Sequence, residues 1–142
     1  MSIIQKFDEQ KRVVFVVWAE TVTTEEWFGY ISRLVSNQAW SRTPCLLVDL
    51  LPVRDTSSIG NAEIDRATEI FASDSKALRG KKVAVLARDE FGRARYFGDL
   101  VARLGVSLIV FNNLDTACLF LGLDLIYAYQ ALDEMHPHMH AS

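Results

Sequence analysis

Cysteine, proline and histidine are scarce in this 142-residue chain, with 2 Cys, 3 Pro and 3 His. Cys45 and Cys118 stand far apart and form no C-x-x-C pair, so neither a redox dithiol nor a zinc site has support. Both read as small buried hydrophobes. No histidine occurs in residues 1–135, and there is no G-x-S-x-G, glycine-rich phosphate loop or H-E-x-x-H. Ordinary hydrolase chemistry therefore finds no motif, and the expectation is a protein that is not an enzyme and carries no cofactor. The longest apolar runs, such as residues 13–18, fall far short of the ~18–20 residues of a membrane span. The first residues lack a basic segment followed by an apolar core and a small-residue cleavage site, which leaves cytoplasmic residence as the expectation. With 15 Lys+Arg against 18 Asp+Glu and a net charge of -3, no basic stripe is visible and nucleic acid is not an expected partner.

Hydrophobic residues make up 50% of the chain, the profile of one globular domain able to bury roughly 68–70% of its unfolded surface. Residues 3–7, a polar turn and the β-branched run 12–18 read as a hairpin. Thr23-Thr24-Glu25-Glu26 is a capping-box pattern, and Trp27, Ile31, Leu34 and Val35 follow at helical spacing. Residues 45–51 form a short apolar run of the kind a strand covered on both faces shows. The turn-rich segment 52–60 precedes a helical pattern over 62–78, a strand over 82–87 and a helix carried by Phe91, Ala94, Phe97, Val101 and Leu104. A last strand over 106–111 leads to two helices, the second capped by Asp124, in which Leu125, Ile126, Tyr129 and Leu132 share a face. Strands alternate with helices and no repeat is visible, so the expected fold is α/β, a mixed sheet of about five strands with an N-terminal hairpin and about four flanking helices.

This order of elements resembles the SpoIIAA-like proteins of the STAS/SEC14 domain group. The resemblance runs over about residues 3–123 and is carried by residues 21–26, Leu47-Val48-Asp49-Leu50, Lys82-Val83-Ala84-Val85-Leu86, Phe91-Gly92-Arg93-Ala94-Arg95 and residues 110–122. It implies a STAS-like domain over 1–123, followed by an additional helix over 124–135 and a flexible histidine-containing tail over 136–142. It further implies a bacterial regulatory or protein-interaction module without catalysis. The SEC14 side implies an alternative, a carrier or sensor of a small apolar or amphipathic ligand. In the wider STAS family a serine after the central strand is phosphorylated, and the corresponding stretch here is Asp55-Thr56-Ser57-Ser58-Ile59-Gly60. Thr56 and Ile59 interrupt the family pattern. A phosphate on Ser57 or Ser58 would sit near a helix start, where amides favour negative charge, and the plain alternative is that these hydroxyls cap the helix.

Arg88, Arg93 and Arg95 gather near a strand end and a helix start, where cations are out of place unless an anion joins them. Asp55, Ser57, Ser58, Arg88 and Arg93 are thus the candidate binding residues, set against pairing of those arginines with Asp89, Glu90 and Asp99 on a solvated surface. Asp49 ends the central apolar strand, where a carboxylate is a tuned acid or a brace for the following loop. An enzyme of unknown class would need titratable groups converging on Asp49 or Arg88. His136-Pro137-His138-Met139-His140 has a spacing that suits copper or nickel, but a chain end rarely holds a built site. The helix over 124–135 has an apolar face to bury, either on its own sheet or against a second copy, so a homodimer is expected alongside an unknown protein partner.

Overall fold

The computed structural model describes residues 2–73 and 78–136. β1 (Ile3–Asp8) and β2 (Val13–Trp18) pair antiparallel as the expected hairpin. Every residue of β2 is buried, as its unbroken apolar composition demands. A short strand β3 (Glu20–Thr21) leads to helices α1 (Thr24–Val35) and α2 (Gln38–Ser41). Then come β4 (Cys45–Asp49), β5 (Val53–Asp55), α3 (Asn61–Ala72), β6 (Lys82–Leu86), α4 (Phe91–Ala102) and β7 (Ser107–Phe111), followed by α5 (Leu114–Leu121) and α6 (Leu125–Glu134). The main sheet is mixed and five-stranded, in the order β1-β2-β4-β6-β7, and β3 pairs with β5 in a separate ribbon. The α/β fold and its opening hairpin are as expected. The helices number six among the described residues rather than about four.

Helices α1, α3 and α4 pack on one face of the sheet, around Trp27, Ile31, Leu34, Ile64, Phe71 and Val101. The other face, made of Val13, Phe15, Val17, Leu47, Ala84 and Leu86, is covered by Ala117, Cys118 and Leu121 of α5 and Ala128, Ala131 and Leu132 of α6. Each large apolar side chain so buried contributes roughly 1.5–3 kcal/mol, so neither layer is dispensable. Gly122 ends α5 at φ 72° and Gly105 follows α4 at φ 88°, left-handed values that suit glycine.

Local capping departs from expectation in three places. Thr23 caps α1 by accepting from the Glu26 amide, but the Glu26 carboxylate reaches to the Ser2 and Ile3 amides at 2.8 and 2.9 Å instead of back to the cap. Two unpaired amides at the head of β1 compete better for it than one. Ser57 and Ser58 do not cap α3. Gly60 holds that position, its amide bonded to Glu63 Oε1 at 2.7 Å. Leu125, Ile126, Tyr129 and Leu132 do not form one buried face either. Leu132 is buried, while Ile126 and Tyr129 are exposed. The small residues Ala128 and Ala131 meet the sheet, because they let the helix sit close. The predicted helix over 62–78 is observed over Asn61–Ala72, and residues 74–77 lie outside the described residues.

Lys81 is the least expected core residue. It is 4% exposed, and its ammonium donates to the Trp40 and Thr43 carbonyls at 2.6 and 2.5 Å while lying 4.1 Å from the Trp40 ring centre. Burial pushes its pKa down, but the two carbonyls offset the cost of a desolvated cation. Lys81→Met keeps the stem, orphans the Thr43 carbonyl and leaves the Trp40 carbonyl with the Thr43 amide alone, and is expected to lower unfolding stability by about 1–3 kcal/mol in urea titration.

Candidate functional site

The carboxyl ends of β4 and β6 carry the clearest cluster of titratable groups. Side chains alternate along β4, so Leu46 and Val48 point to the α1–α3–α4 layer while Leu47 and Asp49 point to the α5–α6 layer. Asp49 is 4% exposed. Its Oδ1 accepts from the Leu51 amide at 2.9 Å and its Oδ2 lies 3.4 Å from His136 Nε2. The amide bond is the loop brace that the sequence suggested. Burial raises the carboxyl above its ordinary range, against the lowering effects of the Leu51 amide, His136 and Arg88.

His136 was expected in the flexible tail, and its place beside Asp49 corrects that reading. Met135 is 6% exposed and packs into the lower core, which carries the chain end over the head of β4. The rest of the predicted tail, 137–142, lies outside the described residues, so the copper or nickel motif cannot be assembled from them. Among the described residues no group of three or more metal-ligating side chains converges. The Asp49–His136 contact is an acid–base pair that ties residue 136 to the carboxyl end of β4.

The other candidates divide between two places. Arg93 donates to the Thr56 carbonyl at 2.8 Å, the Ile59 carbonyl at 2.9 Å and Thr56 Oγ1 at 2.6 Å, so its guanidinium pins the loop between β5 and α3. Asp55 Oδ1 accepts from the Ser57 amide at 2.8 Å, and Ser57 holds that carboxyl below its ordinary range. Ser58 Oγ accepts from the Thr24 amide at 3.2 Å while its carbonyl accepts from Thr24 Oγ1 at 2.9 Å, which ties the loop to α1. Arg88 acts instead on Asp49. Thr56, buried beneath Arg93, is the residue that sequence reasoning passed over as an interruption of a family pattern. A hydroxyl and a carbonyl four residues before a glycine cap offer no pattern that would have marked it.

Two further features belong to the site inventory. Between the sheet and the α1–α3–α4 layer lies an apolar cavity of about 120 Å³ lined by Trp18, Trp27, Phe71, Phe97 and Trp40 among others. The Trp40 indole N–H is buried and has no acceptor among the described residues. On the opposite layer, four of the five exposed large hydrophobics belong to α5 and α6: Leu119 at 82%, Ile126 at 67%, Tyr129 at 63% and Leu125 at 39%. No helix among the described residues is long and apolar enough to cross a membrane. Neither a family model nor a curated protein matches the chain.

Asp49→Asn preserves an acceptor for the Leu51 amide and removes a carboxylate that burial disfavours. Because the folded carboxyl titrates above its unfolded value of 3.8, the unfolded chain gives up that proton first as pH rises. The cost to stability therefore begins above 3.8 and is complete once the folded group has ionised. Asp49→Asn is expected to raise Tm at about pH 7 by roughly 2–4 °C and to match the parent at about pH 3, as thermal melts at the two pH values will show.

Proposed function

We propose that this chain is a non-catalytic regulatory module that works in the cytoplasm by docking another protein on its α5–α6 face, in keeping with its resemblance to SpoIIAA-like STAS/SEC14 proteins. The observation that carries this reading is the exposure of Leu119, Ile126 and Tyr129 on the outer side of a layer whose inner side is already filled by the sheet. Apolar side chains concentrated on one exposed layer are the mark of an interaction surface. Charge selects the kind of partner. No Lys or Arg occurs after Arg103, whereas Asp115, Asp124, Asp133 and Glu134 all fall on or beside the two helices. From the rest of the chain Lys6 lies 3.3 Å from Glu134, and Lys11 and Lys82 lie over the Tyr127 and Phe120 rings. A second copy brought onto this face by a two-fold axis would set like charges together. A partner presenting an apolar patch rimmed by Lys and Arg suits it better, and the expected homodimer becomes the competing outcome.

Ile126→Lys replaces an exposed side chain, so its effect on stability is expected to stay within about 0.5 kcal/mol. In native mass spectrometry of protein purified gently from its host, the parent is expected to carry a basic protein partner. Ile126→Lys is expected to lose that partner, and the parent complex to weaken at least tenfold between about 50 and about 500 mM salt. A parent that runs as monomer alone would refute the reading, and a dimer abolished by Ile126→Lys would replace the partner with a second copy.

The cavity favours a second reading, a sensor of a small apolar ligand. Its volume of about 120 Å³ is close to the ~150 Å³ cavity that takes up benzene or xenon and below the ~300 Å³ at which sites for larger ligands begin. A long-chain lipid does not fit. A benzene-sized apolar molecule does. Crystals pressurised with xenon are expected to show the atom among Trp18, Trp27 and Phe97, and an empty cavity under those conditions would rule the sensor out.

A further inference from the structure

The amino ends of the parallel strands, at the other end of the sheet from Asp49, form a groove of about 640 Å³, well inside the ~300–1,000 Å³ range of small-molecule sites. Its walls include Arg12, Arg42, Arg79 and Lys81, with Glu9 as the one carboxylate among the described lining residues. Strand register explains why residues so distant in sequence meet. Val13 pairs with Cys45, and Cys45 pairs with Lys82, so Arg12, Pro44 and Lys81 are successive neighbours one step before their strands begin. The Lys82 amide bonds the Pro44 carbonyl and the Gly80 amide bonds the Gly105 carbonyl, each at 2.9 Å, which holds the floor together.

The occupied and the open cations can be separated. Lys81 is committed to the Trp40 and Thr43 carbonyls, and Arg42 lies 3.7 Å from Glu9 across an exposed pair, a contact that water and salt largely screen. Arg12 and Arg79 face the groove with no carboxylate beside them other than Glu9 among the lining residues. A chain of net charge -3 that gathers four cations around one groove focuses a positive potential there, opposite in sign to its overall charge.

Arg12 supplies a second observation. It adopts φ 56°, the left-handed conformation, in the turn between β1 and β2. Glycine or asparagine takes that conformation at little cost and arginine does not. Glu20 takes φ 57° away from the groove, so the strain supports a site at Arg12 only because the Arg12 side chain also lines the groove.

We propose that this groove binds a small polyanion of the phosphate-ester or pyrophosphate class, with Arg12 and Arg79 gripping its charge and Arg42 joining them by exchanging Glu9 for the ligand. Planar guanidinium groups suit phosphate oxygens because two parallel N–H donors meet two acceptors. The site is separate from Arg88, Arg93 and the 55–60 loop, and does not rest on the protein-docking reading.

The test uses the full chain and inorganic pyrophosphate, followed by amide spectra. Pyrophosphate is expected to shift the amides of Arg12, Arg42, Thr43, Arg79 and Gly80 together, with saturation below about 1 mM. Arg12→Gly relieves the turn and removes one cation, so it is expected to raise Tm by roughly 2–4 °C while weakening pyrophosphate at least tenfold. Arg79→Gln, which leaves the turn untouched, is expected to weaken binding comparably with Tm unchanged. Shifts confined to Arg88 and the 55–60 loop, shifts spread over every surface cation, or Arg12→Gly binding as tightly as the parent would each overturn the proposal.

Discussion

Strand order governs this molecule. The sheet runs β1-β2-β4-β6-β7 in the same sequence as the chain, and parallel crossovers are right-handed almost without exception. Three crossovers in one direction of travel put their helices on one face, which is where α1, α3 and α4 lie. The opposite face is no less apolar: Val13, Phe15, Val17, Leu47, Ala84 and Leu86 are all 0–1% exposed. Only the segment after β7 remains to cover it, so α5 and α6 must fold back across the sheet. The same unreversed order leaves no topological switch point, the usual location of a ligand crevice in open parallel sheets.

That obligation shapes the C-terminal layer. Small residues at its inner side, Ala117, Ala128 and Ala131, bring the helices close to the strands. Tyr127 meets Phe15 edge to face at 5.7 Å and donates to Asp8 at the end of the hairpin, which keeps that carboxyl low, while burial and then the Asp8 bond push the Tyr127 hydroxyl up. The helix is thereby held at its first turn by Asp8 and, just past its last, by the contact of His136 with Asp49. Its outer side is left with Ile126 and Tyr129 in water. An apolar outer side is not needed to cover the sheet, and it is the ground of the proposed docking role.

Charge is separated more sharply than the total suggests. The cations at positions 12, 42, 79 and 81 collect at the amino ends of the strands, and the segment after Arg103 carries acids alone. A net charge of -3 averages over this division. Between the two lie the loop pinned by Arg93 and the cavity, both on the α1–α3–α4 side. The three regions thus differ in chemistry on one small scaffold.

Periodicity and punctuation were legible from the amino acids alone. The hairpin, the central strand, the helix starts at Thr23 and Asp124 and the glycine stops at 105 and 122 all depend on contacts within a few residues, although the strand expected over 45–51 ends at Asp49 and the helix expected from Thr116 begins at Leu114. The brace from Asp49 to Leu51 was legible for the same reason. Partners distant along the chain were not. Glu26 was available to its own cap and chose the head of β1. Arg93 stood in a cluster with Arg88, yet Arg93 clamps Thr56 while the charge of Arg88 acts on Asp49. His136 looked like loose tail until Met135 found the core. Three scattered arginines became one groove through strand register. Local hydrogen bonding and hydrophobic period are properties of a short window, so the sequence determined the elements and their ends. Which charges meet depends on how those elements stack, and tertiary packing alone decided it.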